Sequence, residues 1–125
     1  MLKPLLINEK EDTPKVLLDQ QNGIFEISGC SFPEDGTKFY SDVINWIAEY
    51  IKEPREETKF FFNLDYFNST SVKQLLEILL KLEEITVLGK RVQVIWSYKK
   101  EDEMMASKGQ EIRNMVNLPF ELMPE

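Results

Sequence analysis

The chain has 125 residues, 42% of them hydrophobic, and a formal net charge of −7. That length predicts one compact domain spanning residues 1–125, with enough apolar material for a core. The negative balance argues against nonspecific nucleic-acid binding and against adhesion to anionic lipid, since both need positive surface to displace counterions.

Residues 1–14, carrying Pro4, Glu9, Glu11, Asp12 and Pro14, read as a loosely ordered leading segment with scope for an edge strand. Val16 to Asp19 and Ile24 to Ile27 flank Gln21-Asn22-Gly23, and Asn-Gly suits the positive backbone angles of a hairpin turn. Ser28 to Gly36 reads as a loop. From Thr37 the apolar residues Tyr40, Val43, Ile44, Ile47, Tyr50 and Ile51 recur at helical spacing until Pro54. Lys59 to Phe67 then predicts a strand, and the run Phe60-Phe61-Phe62 predicts that it lies at the sheet centre, covered on both faces.

A helix opening near Val72 places Val72, Leu75, Leu76, Leu79 and Leu82 on one stripe and stops before Gly89. Val92 to Trp96 predicts the next strand, completing a parallel crossover unit. Residues 101–117 suggest a weaker amphipathic helix, and Leu118 to Leu122 a short terminal strand. The expected class is α/β: a mixed sheet of four to five strands with an N-terminal hairpin and three main helices.

The chain contains no histidine, which excludes Ser-His-Asp and Cys-His nucleophilic sites, histidine bases and His-ligated zinc. Its five glycines stand singly, so no phosphate-cradling loop can be written. Cys30 is the sole cysteine and reads as a small hydrophobe in a reducing compartment. No apolar run approaches the ~20 residues of a membrane helix, and the start is too short for a signal peptide, so a cytoplasmic protein is expected. Clusters such as Glu83-Glu84 and Glu101-Asp102-Glu103 read as solvated faces, and neither metal nor cofactor is expected.

The polar hinge Asn68-Ser69-Thr70-Ser71, between the central strand and its helix, is the strongest functional lead. A helix start needs one side-chain oxygen as its cap, and Ser71 with Gln74 fits the capping-box pattern, which leaves two hydroxyls surplus. Hydroxyls at a helix N-terminus can carry an anion without unfolding the helix, so Ser69 and Thr70 are candidate phosphosites. Lys73 stands close enough along the helix to pair with a phosphate. Asp65 at the strand end reads first as a solvated or paired carboxylate, and Pro33-Glu34-Asp35 as turn chemistry ahead of a helix cap.

This element order is similar to the STAS fold of anti-sigma-factor antagonists. Thr13-Pro14, Gly29 with Ser31-Phe32-Pro33-Glu34-Asp35, Val43-Ile44-x-Trp46 and Tyr66-Phe67-Asn68-Ser69-Thr70-Ser71-Val72-Lys73 together resemble the SiaC family of bacterial regulatory phosphoproteins, from about Thr13 to Phe120. The resemblance implies a non-enzymatic adaptor that a Ser/Thr protein kinase phosphorylates and a PP2C-type phosphatase restores. It further implies that the unmodified form activates a diguanylate cyclase, linking the protein to cyclic di-GMP and biofilm control. The family phosphosite directly follows the Asn and is typically Thr; here Ser69 holds that position and Thr70 comes next. By the same resemblance Pro33, Glu34, Asp35, Asn68, Ser71 and Lys73 would form the partner surface. Two alternatives remain: an anti-sigma-factor antagonist, and a small-ligand or enzymatic domain using Asp65, Glu34 and the hydroxyls.

Overall fold

The computed structural model describes residues 2–125. Three strands come first, β1 (Leu5–Ile7), β2 (Lys15–Asp19) and β3 (Ile24–Ser31), followed by α1 (Gly36–Tyr50), β4 (Glu57–Phe67), α2 (Ser69–Val87), β5 (Arg91–Tyr98), α3 (Glu103–Met115) and β6 (Phe120–Pro124). They form one sheet in the order β1-β2-β3-β4-β5-β6, antiparallel from β1 to β3 and parallel from β3 to β6. The expected α/β class and three helices are present, but the sheet has six strands rather than four or five. Both additions lie at its edges. The leading segment supplies β1, and Trp46 helps to hold it by donating its indole N–H to the Lys3 carbonyl at 2.7 Å.

Each parallel neighbour from β3 onward is reached by a helix, and right-handed crossovers taken repeatedly in one direction leave every helix on the same side of the sheet. The burial pattern agrees. Along β4, Thr58, Phe60, Phe62 and Leu64 are buried while Glu57, Lys59, Phe61 and Asp65 are exposed. This overturns the expectation that Phe60-Phe61-Phe62 is covered on both faces: β4 is central, but Phe61 stays 40% exposed on a sheet face without helices. There it stands in register between Glu26 and Ile95.

Aromatic rings bind the two layers. Trp46 stacks on Tyr50 at 5.4 Å, Tyr50 meets Phe25 at 5.0 Å, and contacts continue through Phe60 and Phe62 to Trp96. Trp96 in turn touches Phe67 and Phe120 and donates its indole N–H to the Met105 carbonyl at 3.1 Å. Both tryptophans are therefore core residues, as their positions in the sequence suggest. The spine ends at Phe67, one residue before the polar hinge, so the hinge hangs directly from the buried aromatic core.

A register shift prepares that hand-over. Gly29 pairs with Leu64 and Cys30 with Tyr66, leaving Asp65 as the extra residue of a bulge in β4. A bulge re-aims the side chains beyond it, and here it lets both Leu64 and Phe67 face the core although they are three residues apart. Asp65 points to solvent and lies 3.9 Å from Lys99. The solvated or paired reading of that carboxylate holds.

Candidate functional site

The hinge is built around Asn68, which has extended backbone angles and whose Oδ1 accepts the Ser71 N–H at 3.0 Å. Asn68 therefore caps α2, and the helix opens at Ser69, not near Val72 as the sequence suggested. The Ser71–Gln74 capping box does not form. Ser71 is fully buried, its hydroxyl donating to the Ser31 carbonyl at 2.9 Å, while Gln74 turns its amide toward Thr37. The missed signal is periodic: Ser71 lies on the same helical stripe as Leu75, Ile78, Leu82 and Ile85, all buried.

Capping by Asn68 leaves Ser69 and Thr70 on the solvent side of the first turn. The two hydroxyls differ. Thr70 Oγ1 donates to Asn68 Oδ1 at 2.9 Å and lies against Gly36, whereas Ser69 makes no side-chain hydrogen bond among the described residues. Asp35, with Oδ1 accepting the Lys38 N–H at 3.1 Å, caps α1 directly opposite. The two helix starts thus share one shallow groove lined by Glu34, Asp35, Gly36, Thr37, Ser69, Thr70, Lys73 and Gln74.

Of the residues singled out from sequence, Glu34, Asp35, Ser69, Thr70 and Lys73 come together on this groove, and Asn68 frames it. Pro33 and Ser71 do not. Both are buried, so neither can meet a partner directly. Ser71 faces the core because the helix begins three residues earlier than expected, and Pro33 is covered where the chain turns from β3 into α1. What the sequence does not announce is an exposed aromatic pair beside the groove. Phe32 and Tyr66 lie edge to face at 5.8 Å, 38% and 46% exposed, and Lys108 Nζ sits 5.5 Å from the Tyr66 ring and 4.7 Å from that of Phe67. Their position where β3 and β4 end and give way to the starts of α1 and α2 is the signal that could have found them.

Under the groove lies a chain of buried hydroxyls. Tyr40 OH is 2.5 Å from Ser31 Oγ, which is 2.8 Å from Ser71 Oγ. Burial pushes the Tyr40 phenol up to about 12, against a smaller downward pull from its bond to Ser31. The stability it contributes is complete below pH ~10, where folded and unfolded phenols both hold the proton. It is lost as pH rises from ~10 to ~12, where only the folded phenol keeps it, a fall of roughly 3 kcal/mol. Denaturant unfolding at pH 8 and pH 11.5 should show this component in the native protein and not in Tyr40→Phe. Burial first, and then the Asp65 and Glu9 carboxylates, push the Cys30 thiol up, which lowers its thiolate fraction at neutral pH.

A family model for SiaC family regulatory phosphoproteins matches residues 7–125. The chain belongs to the SiaC family. A protein of Pseudomonas aeruginosa of uncharacterised role is 29% identical over 119 residues, covering 95% of this chain and 94% of that one. The crystal structure of apo-SiaC from the same organism superposes with a TM-score of 0.87 at 27% identity, covering 97% of this chain and 98% of the other. A third match, with a TM-score of 0.90 at 28% identity over 97% and 99% of the two chains, comes from the crystal structure of the diguanylate cyclase SiaD in complex with its activator SiaC, also from Pseudomonas aeruginosa. The SiaC match spans the whole parallel half of the sheet and both helix starts of the groove.

Proposed function

We propose that this protein is a non-enzymatic, cytoplasmic signalling adaptor whose unmodified form binds and activates a diguanylate cyclase, and whose release is triggered by phosphorylation at Ser69. Support for the partner class comes from the likeness to a SiaC chain bound to the cyclase SiaD. Support for the switch comes from one observation above all: Ser69 is a solvent-facing hydroxyl on the first turn of α2, inside a groove that also holds Glu34, Asp35 and Lys73. A Ser/Thr protein kinase adds the phosphoryl group and a PP2C-type phosphatase removes it.

Ser69 is favoured over Thr70 on physical grounds. The Thr70 hydroxyl proton is given to the oxygen that caps the helix, so modification there disturbs the cap, whereas Ser69 surrenders no bond. A phosphoryl group of charge ~−1.5 to −2 placed at a helix start gains roughly 0.3–1 kcal/mol per charge from the dipole, so the domain stays folded. Lys73 can pair with it. The partner surface is the groove rim, Glu34, Asp35, Asn68 and Lys73, with the Phe32–Tyr66 pair as the adjoining aromatic anchor.

Phosphopeptide mapping after reaction with the cognate kinase tests this. The expected result is phosphate within residues 60–73 of the native protein, absent from Ser69→Ala and retained in Thr70→Ala. A doubly substituted Ser69→Ala/Thr70→Ala protein should stay permanently competent to bind the cyclase. Complete absence of phosphate from that peptide under conditions where the kinase is active would refute the switch.

A further inference from the structure

The Ser31 carbonyl at the end of β3 accepts two hydrogen bonds from the hinge: the Asn68 N–H at 3.0 Å and the Ser71 O–H at 2.9 Å. One peptide oxygen therefore grips both the cap residue of α2 and the last residue of its first turn, with Ser69 and Thr70 between them. The Ser31 side chain continues the grip. Its Oγ lies 2.8 Å from Ser71 Oγ and 2.5 Å from the hydroxyl of Tyr40 on α1.

Proton accounting fixes the direction of this chain. Ser71 spends its proton on the Ser31 carbonyl, so Ser31 must donate to Ser71 Oγ, and Tyr40 must donate to Ser31 Oγ. With its phenol pushed up to about 12, Tyr40 keeps the proton it donates throughout the physiological range. All three residues are fully buried and none of their hydroxyls is left unpaired. Such a network allows one arrangement and resists others, because any half-broken version strands a hydroxyl in the interior.

We propose that Tyr40, Ser31 and Ser71 form a buried hydroxyl clamp that positions the Ser69 acceptor and couples it to the start of α1, making these three positioning residues for phosphorylation and its readout. The chain joins three elements at one point: α1 through Tyr40, β3 through Ser31 and α2 through Ser71. Ser31 also leads directly into Phe32, Glu34 and Asp35, so the two walls of the groove are fastened to each other from beneath. A partner that presses on the α1 wall and a phosphoryl group on the α2 wall would act on one rigid unit.

The role of Ser69 as acceptor rests on the function proposed above, but the clamp can be tested without any kinase. Tyr40→Phe removes one oxygen, keeps the ring and leaves Ser31 and Ser71 with their own protons still placed. Tyr50→Phe is the matched control. Its hydroxyl bonds Thr58 at 2.7 Å and accepts the Arg55 N–H at 3.2 Å, among residues that do not line the hinge groove. Amide hydrogen exchange, read residue by residue by NMR, should be about fivefold faster at Asn68 and Ser71 in Tyr40→Phe, one hydrogen bond's worth, and unchanged relative to the rest of the chain in Tyr50→Phe. Ser71→Ala breaks the clamp from its other end and should raise the same exchange by more than about tenfold.

The functional half is read as phosphate occupancy in the peptide 60–73 of the variants expressed in the native cell. Occupancy should fall severalfold in Tyr40→Phe and not in Tyr50→Phe. Equal exchange profiles for the two tyrosine variants would overturn the clamp, and a changed profile with unchanged occupancy would overturn its positioning role. Loss of the acceptor assignment would look different: phosphate would persist in Ser69→Ala while the exchange result stood.

Discussion

Phosphorylated at Ser69, the protein should bind the cyclase proposed as its partner roughly thirtyfold to several thousandfold more weakly than the unmodified form, while its melting temperature does not fall, because the helix start repays the added charge with roughly 0.5–2 kcal/mol. Burying a dianion with no partner cation at an interface costs roughly 2–5 kcal/mol, and each ~1.4 kcal/mol is tenfold in affinity. The carboxylates of Glu34 and Asp35 across the groove add repulsion, and Lys73 alone cannot neutralise the group. The fold is spared because Ser69 is exposed and sits where the α2 dipole welcomes negative charge. Titration calorimetry of both forms against the full-length cyclase, with parallel thermal melts, separates the two effects. Equal affinities would show that the groove is not where the partner reads the switch. Ser69→Asp carries a single charge and should produce a smaller loss in the same direction.

Gly109→Ala should destabilise the protein by roughly 2–3 kcal/mol, or about 10 °C in melting temperature, although alanine is the better helix former by ~1 kcal/mol. A Cβ at Gly109 would lie 2.5 Å from Cδ1 and 2.6 Å from Nε1 of Trp96, and 2.9 Å from Leu122. The indole cannot step aside cheaply. It is packed against Phe62, Phe67 and Phe120 and tied to the Met105 carbonyl, so the methyl group would push α3 off the sheet or break that bond. Urea unfolding of Gly109→Ala and Gly109→Val should show a graded loss, with valine the worse. Alanine as stable as glycine would mean that α3 shifts freely on the sheet.

Strong local patterns in the sequence carried most of the fold. The Asn-Gly turn, the helical stripe from Tyr40 to Tyr50, the strand from Val92 to Trp96 and the Gly89 stop all appear where their chemistry places them. Where expectation and structure part, tertiary context decides. Three consecutive phenylalanines look buried on both faces, yet the helices all lie on one side and Phe61 faces out. Ser71 with Gln74 satisfies a capping pattern, but Asn68 takes the cap and Ser71 is spent on Ser31 and, through it, Tyr40. Hydropathy treats a serine as polar wherever it stands, so a buried hydroxyl whose partners come from distant elements has no local signature. The site itself was half legible. Ser69, Thr70, Glu34, Asp35 and Lys73 converge as their motifs implied, while Pro33 and Ser71 sink beneath them and the Phe32–Tyr66 pair rises beside them.

The direction in which the strands are laid down bears on what kind of guest this molecule can receive. In open α/β sheets a cleft for small molecules opens where adjacent connections leave toward opposite sides of the sheet. From β3 to β6 the chain only ever steps one way and crosses over one side, so neighbouring strand ends never part to make room for a nucleotide or metabolite. A partner that lays a broad face across the strand ends suits this geometry, and under the switch proposed above one phosphoryl group in its path would turn that visitor away.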